Sequence, residues 1–138
     1  MMRKLDRRGV AALEFCLVAV PLFTLMFAIF DLGRYAITMQ SLRALSNAGA
    51  RALMIDNCYV NAELQKSTPS CSGSNLPAAA QMQAVAPFLY YGGLTPTLTT
   101  AVGAAALTVT ASQPGFTMLM PIWGTALNAP SASTSIPI

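Results

Sequence analysis

The chain has 138 residues, of which 54% are hydrophobic and only 9% are charged, whereas a soluble domain carries roughly 25% charged residues. The sequence has no histidine, and its 8 basic and 5 acidic side chains all precede residue 67. This pattern argues against a free cytosolic enzyme and a disordered polyampholyte. It also argues against a nucleic-acid-binding protein, which needs a basic patch on its folded part.

Residues 10–30 form an apolar run with a single charge, Glu14. As a helix this run is roughly 31 Å long, about the thickness of the hydrocarbon core of a bilayer. Residues 1–9 contain four basic side chains against one acidic side chain. The positive-inside rule therefore predicts a cytoplasmic leader over 1–9, a transmembrane helix over 10–30, and an extracytoplasmic remainder.

Three interpretations of this segment compete: a cleaved secretory signal peptide, a plain single-span anchor, and a leader that is cut before the apolar run. The run is longer than a typical signal-peptide core, and the pair Arg7-Arg8 alone is weak evidence for twin-arginine export. Glu14 separates the other two interpretations, because a carboxylate at the bilayer centre costs about 2.5–3.5 kcal/mol and a plain anchor gains nothing from it. After a cut between Gly9 and Val10, the Glu14 carboxylate could pair with its own N-terminal amine or that of a neighbour.

The stretch RRGVAALEF resembles a class III (type IV prepilin) signal, with Gly9 before the predicted cut and Glu14 five residues beyond it. Together with Pro21 and the Asp31-Leu32-Gly33-Arg34 element, it closely resembles the TadE-like pseudopilin family of the tight-adherence pilus system over about residues 7–54. Phe15 stands where the major pilin of such systems usually has Tyr. This difference favours a minor pilin or pseudopilin.

The resemblance implies processing by a prepilin peptidase between Gly9 and Val10, and an assembly salt bridge made by Glu14. It also implies a bacterial inner-membrane location and, after processing, a place in a pilus or tip complex. The implied partners are the peptidase, other pilins or pseudopilins, inner membrane platform proteins and the lipid bilayer. Two alternatives remain: a single-pass structural protein of the envelope, and a pilus-tip adhesin module.

Residues 31–55 predict an amphipathic, extracytoplasmic continuation of the same helix, which is expected to kink near Pro21. One stripe is polar and the opposite stripe is apolar, the latter comprising Leu42, Leu45, Gly49 and Ala52. Asp31 and Arg34 are three residues apart and can face each other. They are either a solvated pair of little energetic consequence or a helix-exit motif, with Gly33, that acts in assembly.

Residues 56–76 read as a surface loop closed by a Cys58–Cys71 disulfide, while Cys16 lies in the span as an inert apolar side chain. Residues 77–138 predict a second short helix, capped by Asn75, shortened or bent by Pro87 and stopped by Gly92-Gly93. Strands are expected over 106–111 and 131–138, and a strand or extended apolar edge over 116–123. Residues 113–115 predict a turn, and residues 94–103 are turn-rich. The fold expected is α+β and type IV pilin-like: a long N-terminal helix, a short helix, and an antiparallel sheet of about three strands.

The sequence predicts no catalytic residues, cofactor or metal site, and no nucleic-acid partner. The commonest general base is missing, and Glu14 and Asp31 are about 25 Å apart along one helix, too far to act as a carboxylate pair. The aromatic residues Phe88, Tyr90, Tyr91 and Trp123 either form a binding surface or pack in the core or in a belt at the lipid headgroups. We therefore expect the chain to be the substrate of an enzyme and not an enzyme.

Overall fold

The computed structural model describes residues 7–138, with side chains from residue 9 onward. Most of the predicted leader therefore lies outside the described residues. The regular elements, in chain order, are α1 (Arg7–Ile55), α2 (Asn57–Gln65), α3 (Ala79–Val85), β1 (Thr97–Val102), β2 (Ala106–Ser112) and β3 (Ser131–Pro137). The strands form one antiparallel sheet in the order β1-β2-β3. The predicted α+β fold, with a long N-terminal helix and a three-stranded sheet, is confirmed.

Helix α1 is continuous over 49 residues and contains Pro21 within its first half. That half is long and apolar enough to cross a membrane, and only 6% of its most apolar 18-residue stretch is buried. Its side chains are therefore not the core of the folded domain. The core lies against the second half of α1, which carries the sheet.

The sheet packs on one stripe of α1, and the predicted apolar residues Leu42, Leu45 and Gly49 are buried on it. Glycine at 49 permits this close approach: a Cβ there would lie 3.0 Å from side-chain carbons of both Leu98 and Val109. The apolar contact forms two adjoining clusters. One contains Ala50, Leu53, Cys71, Leu107, Val109 and Ile136, and the other contains Leu42, Leu45, Ala86, Leu89 and Ala111.

The outer face of the sheet is covered with hydroxyl groups. Pairing aligns Thr97 with Ser112 and Ser131, Thr99 with Thr110 and Ser133, and Ala101 with Thr108 and Ser135. Neighbouring hydroxyls hydrogen-bond across the strands, as between Thr97 and Ser112 at 2.7 Å. This face offers hydrogen-bonding groups to its surroundings without using a charge.

The structure differs from the sequence-based expectation in two stretches of the C-terminal half. The stretch described as turn-rich contains β1, in which Thr-rich residues alternate between the two faces of the sheet. Residues 116–123, expected to be a strand or extended edge, are an irregular loop that ends in a 3₁₀ turn at Pro121–Trp123. The reason is that backbone N–H groups of this segment bond to side chains of α1 and of Asn128 instead of to another strand.

Residues 56–76 were predicted as a loop but contain helix α2. Asp56 caps this helix by accepting a hydrogen bond from the N–H of Cys58 at 2.9 Å, and Asn75 Nδ2 donates to the same carboxylate oxygen at 3.2 Å. Asn75 therefore supports the start of α2 and does not cap the next helix. Helix α3 is preceded by Ala78 and ends before Pro87, as the proline predicts.

The predicted disulfide between Cys58 and Cys71 is present, with a sequence separation of 13 residues. It joins the first turn of α2 to the segment that precedes the 3₁₀ turn Gly73–Asn75. Cys71 is buried in the cluster with Leu53 and Leu107. The disulfide thus holds the 56–76 segment against the end of α1.

Replacing both Cys58 and Cys71 by Ser should lower the free energy of unfolding by about 2–3 kcal/mol, because the crosslink no longer restricts the unfolded chain. Urea titration of the detergent-solubilised protein, followed by the fluorescence of Trp123, measures this change. Cys16→Ser is the matched control, because Cys16 is exposed and free. Equal stability of the double variant and the control would contradict a stabilising role for the disulfide.

Candidate functional site at the end of the apolar helix

The residues that the sequence singled out on α1 lie in two separate groups. Gly9, Val10 and Glu14 lie near the start of α1, and Asp31, Gly33 and Arg34 lie where its apolar run ends. The groups are about 25 Å apart at 1.5 Å per residue. Pro21 lies between them, inside the helix. The two groups therefore form separate sites on one rod.

The first group is open to its surroundings. Val10 is 47% exposed and Glu14 is also exposed. Among residues 9–138, whose side chains are described, the Glu14 carboxylate has no hydrogen-bond or ion-pair partner. A Cβ added to Gly9 would have no atom within 4 Å. The folded domain thus makes no contact that would hold Glu14 or require glycine at position 9.

In the second group, Asp31 is almost fully buried, at 1% exposure. Its Oδ2 accepts hydrogen bonds from the backbone N–H groups of Leu119 and Met120, both at 3.0 Å, and its Oδ1 lies 3.1 Å from the same Leu119 nitrogen. A carboxylate removed from water needs such donors, and hydrogen bonds to a charged acceptor are roughly twice as strong as neutral ones. Asp31 therefore fastens the loop around residue 119 to the helix, a contact across 88 residues of chain.

Arg34 contacts the same structure from the outside. Its Nη1 lies 3.4 Å from Asp31 Oδ1, its side chain is 40% exposed, and its guanidinium carbon is 5.2 Å from the ring centre of Phe116. The Phe116 ring also packs at 6.3 Å from that of Tyr35. Arg34 thus partly neutralises the carboxylate and covers the base of the loop.

Gly33 faces away from these contacts. It is exposed, and a Cβ added there would have no atom within 4 Å. The fold itself therefore does not require glycine at this position.

A small cavity lies beside Arg34, lined also by Thr38, Gln113 and Phe116. Its volume is about 60 Å³, well below the roughly 300–1,000 Å³ of pockets that hold small-molecule ligands. The Gln113 amide nitrogen donates to the carbonyl of Leu89 at 2.7 Å, which fixes the start of the loop to the segment after α3. The geometry of this site suits mechanical attachment of the loop to the helix.

Sequence reasoning placed Asp31 beside Arg34 but missed its backbone partners in the loop. The signal that could have revealed its burial is the spacing of the apolar stripe. Counting back by seven residues from Leu45 gives Thr38 and then Asp31, and all three are buried. Asp31 therefore lies on the face of α1 that contacts the folded domain. Its buried carboxylate oxygens need hydrogen-bond donors from that domain.

The sequence model of the family described as TadE-like protein matches residues 9–51. The match includes both groups of residues on α1 and confirms the resemblance identified from the sequence over that region. The match covers 43 of the 138 residues and ends within α1, before the sheet. No curated protein matches the chain, and no solved structure matches it.

Asp31→Asn should destabilise the domain by about 1–3 kcal/mol, because the neutral amide presents only one acceptor oxygen to the buried N–H groups. Arg34→Gln is the comparison, with an expected loss of about 0–1 kcal/mol, since it removes a partly exposed ion-pair partner. Hydrogen exchange of the Leu119 and Met120 amides checks the mechanism directly. Protection of both amides should fall in Asp31→Asn and persist in Arg34→Gln; unchanged protection in Asp31→Asn would contradict the proposed attachment.

Proposed function

We propose that the chain is a minor pilin or pseudopilin subunit of a Tad-type pilus assembly or secretion apparatus. The observation that carries this proposal is the shape of α1: one continuous helix is exposed and apolar in its first half and is the core helix of the domain in its second half. Such a helix needs a second apolar environment. A bilayer supplies it before assembly, and the helices of neighbouring subunits supply it afterwards.

The match over residues 9–51 supports the same proposal, because it spans the apolar run and both groups of functional candidates. In this proposal residues 1–9 stay in the cytoplasm, α1 crosses the inner membrane, and the sheet lies on the extracytoplasmic side. The disulfide on the sheet side is typical of an oxidising compartment. The chain is the substrate of a prepilin peptidase and has no enzymatic activity of its own.

Glycine at position 9 favours processing there. The bond between Gly9 and Val10 lies within α1, and glycine lowers helix stability by about 1 kcal/mol relative to alanine. A peptidase can thus reach this bond without unfolding the span.

Glu14 is the proposed assembly contact. After cleavage it lies one turn inside the new helix N-terminus, about 6 Å along the axis from the Val10 amine. A neighbouring subunit can therefore satisfy Glu14 with its own amine and fix the stagger between two helices. Other pilins or pseudopilins and the platform proteins of the inner membrane are the proposed partners.

The mature protein should begin at Val10. N-terminal sequencing of the protein isolated from membranes, with and without the prepilin peptidase, measures this. Gly9→Leu should block processing, and Gly33→Leu should leave it intact. The two glycines are a matched pair, because neither has an atom within 4 Å of an added Cβ. An uncut chain in the presence of the peptidase, or a different first residue, would contradict the proposal and favour the single-pass envelope protein.

Glu14→Gln should insert into the membrane at least as well as the wild type, because a carboxylate in the span costs up to about 2.5–3.5 kcal/mol. It should nevertheless be depleted from the sheared pilus fraction, since its amide cannot pair as a charge with an N-terminal amine. Glu63→Gln, on an exposed turn of α2, is the control for removal of a glutamate. Normal recovery of Glu14→Gln with the pili would exclude the assembly role.

A further inference from the structure

The loop that Asp31 holds is located at the point where the apolar run of α1 ends. Phe30 is the last residue of that run, and the next residue accepts hydrogen bonds from the N–H groups of Leu119 and Met120. If α1 spans a bilayer, as proposed above, this attachment places the loop at the level of the headgroups. The inference below rests on that membrane anchor.

The tip of the loop exposes large apolar side chains. Leu119 is 74% exposed and Ile122 is 60% exposed, with exposed Pro121 between them. Single exposed apolar residues are ordinary on protein surfaces. These two differ because they lie three residues apart in a segment that has no charged residue, next to the end of the apolar run.

The loop is ordered by its own hydrogen bonds. Its base is closed by the N–H of Ala129, which donates to the carbonyl of Phe116 at 3.0 Å. Asn128 Oδ1 accepts from the N–H of Met118 at 3.0 Å. Together with Asp31, these bonds fix the direction of the tip before it meets any partner. A preorganised apolar tip binds without a further loss of loop entropy.

The charges around the tip also suit a membrane surface. The Asp31 carboxylate is buried and bonded, whereas the neighbouring Arg34 is 40% exposed. Part of the Arg34 guanidinium is thus open to the surroundings, and guanidinium groups donate hydrogen bonds to the phosphates of lipid headgroups. Trp123 is the last residue of the 3₁₀ turn that contains Ile122, and it is half-buried.

We propose that Leu119 and Ile122 insert into the headgroup–acyl boundary of the same bilayer that α1 spans, as a second membrane contact of the domain. The span alone leaves the helix free to rotate about its axis. A second contact beside the helix removes that freedom, because interfacial anchors set the tilt and rotation of a transmembrane helix. The loop thereby orients the domain on the membrane before assembly.

Trp123 is the only tryptophan in the sequence and reports on the loop directly. The full-length protein is reconstituted into vesicles of phosphatidylcholine and phosphatidylglycerol, with bromine atoms at defined depths on the acyl chains. Trp123 emission should be quenched most strongly by bromines about 5–10 Å below the headgroups, the depth of interfacial segments. Iodide in the aqueous phase should quench it weakly.

The variant Leu119→Ser with Ile122→Ser should lower the lipid quenching of Trp123 severalfold. The matched control is Ile55→Ser with Leu64→Ser, because these residues are 84% and 77% exposed but lie at the opposite end of the domain. The control should retain wild-type quenching. Equal quenching in both double variants would overturn the proposal, because the loop residues would then make no contribution to depth.

Flotation of the vesicles separates a failure of this proposal from a failure of the anchor. If the protein floats but Trp123 is quenched by iodide and not by lipid bromine, the loop lies in water and the proposal is wrong while the anchor stands. If the protein floats and neither quencher reaches Trp123, the loop contacts protein, and the proposal is also wrong. If the protein does not float, both the anchor and the loop contact are overturned.

Discussion

Helix α1 has an exposed apolar half and a half that packs in the folded domain, and Asp31 lies at the boundary between them. Before it, α1 exposes apolar side chains along 10–30, which no part of the described domain covers. After it, one stripe of the same helix is buried under the sheet. Asp31 is the first buried residue of that stripe. Its carboxylate holds the loop against α1 at the end of the domain that is nearest to the apolar run. This one side chain therefore determines where along α1 the folded domain begins.

The absence of charged residues after Lys66 is explained by the two faces of the sheet. One face of the sheet is mainly apolar and packs on α1, and the other has serine or threonine at most positions. Hydroxyl groups make hydrogen bonds with water or with a neighbouring protein, and they carry no charge that would repel another copy of the same subunit. In the proposed function, in which the subunit packs against others, this region therefore needs no surface charge. The net charge of +3 arises from residues 1–9, which contain four basic side chains and one acidic side chain, and not from the sheet.

The features that sequence reasoning predicted well are those with a strong local signal. Apolar length predicted the first half of α1, helical periodicity predicted the buried stripe of Leu42 and Leu45, and strand alternation predicted β2. The failures share a different cause. Residues 97–102 contain mostly threonine, leucine and alanine, and their pairing with β2 decides that they are a strand. Residues 116–123 have the composition of a strand, but Asp31, from 88 residues earlier, takes two of their N–H groups. Contacts over such distances leave no mark in a local window of sequence.

The attachment at Asp31 also bears on the direction of Glu14. The two residues are 17 positions apart, and at 3.6 residues per turn their side chains differ by about 100° around the helix. Because Asp31 points at the loop, Glu14 points neither beneath the domain nor directly opposite to it, but sideways. A carboxylate directed sideways is reached by a helix that stands next to α1 in the membrane, not by the domain above it. In the proposed arrangement, the loop contacts the bilayer and fixes the rotation of α1, and this rotation also decides which neighbour can supply the amine to Glu14. In the proposed arrangement, the attachment at Asp31 thus bears on a lateral contact about 25 Å away along α1.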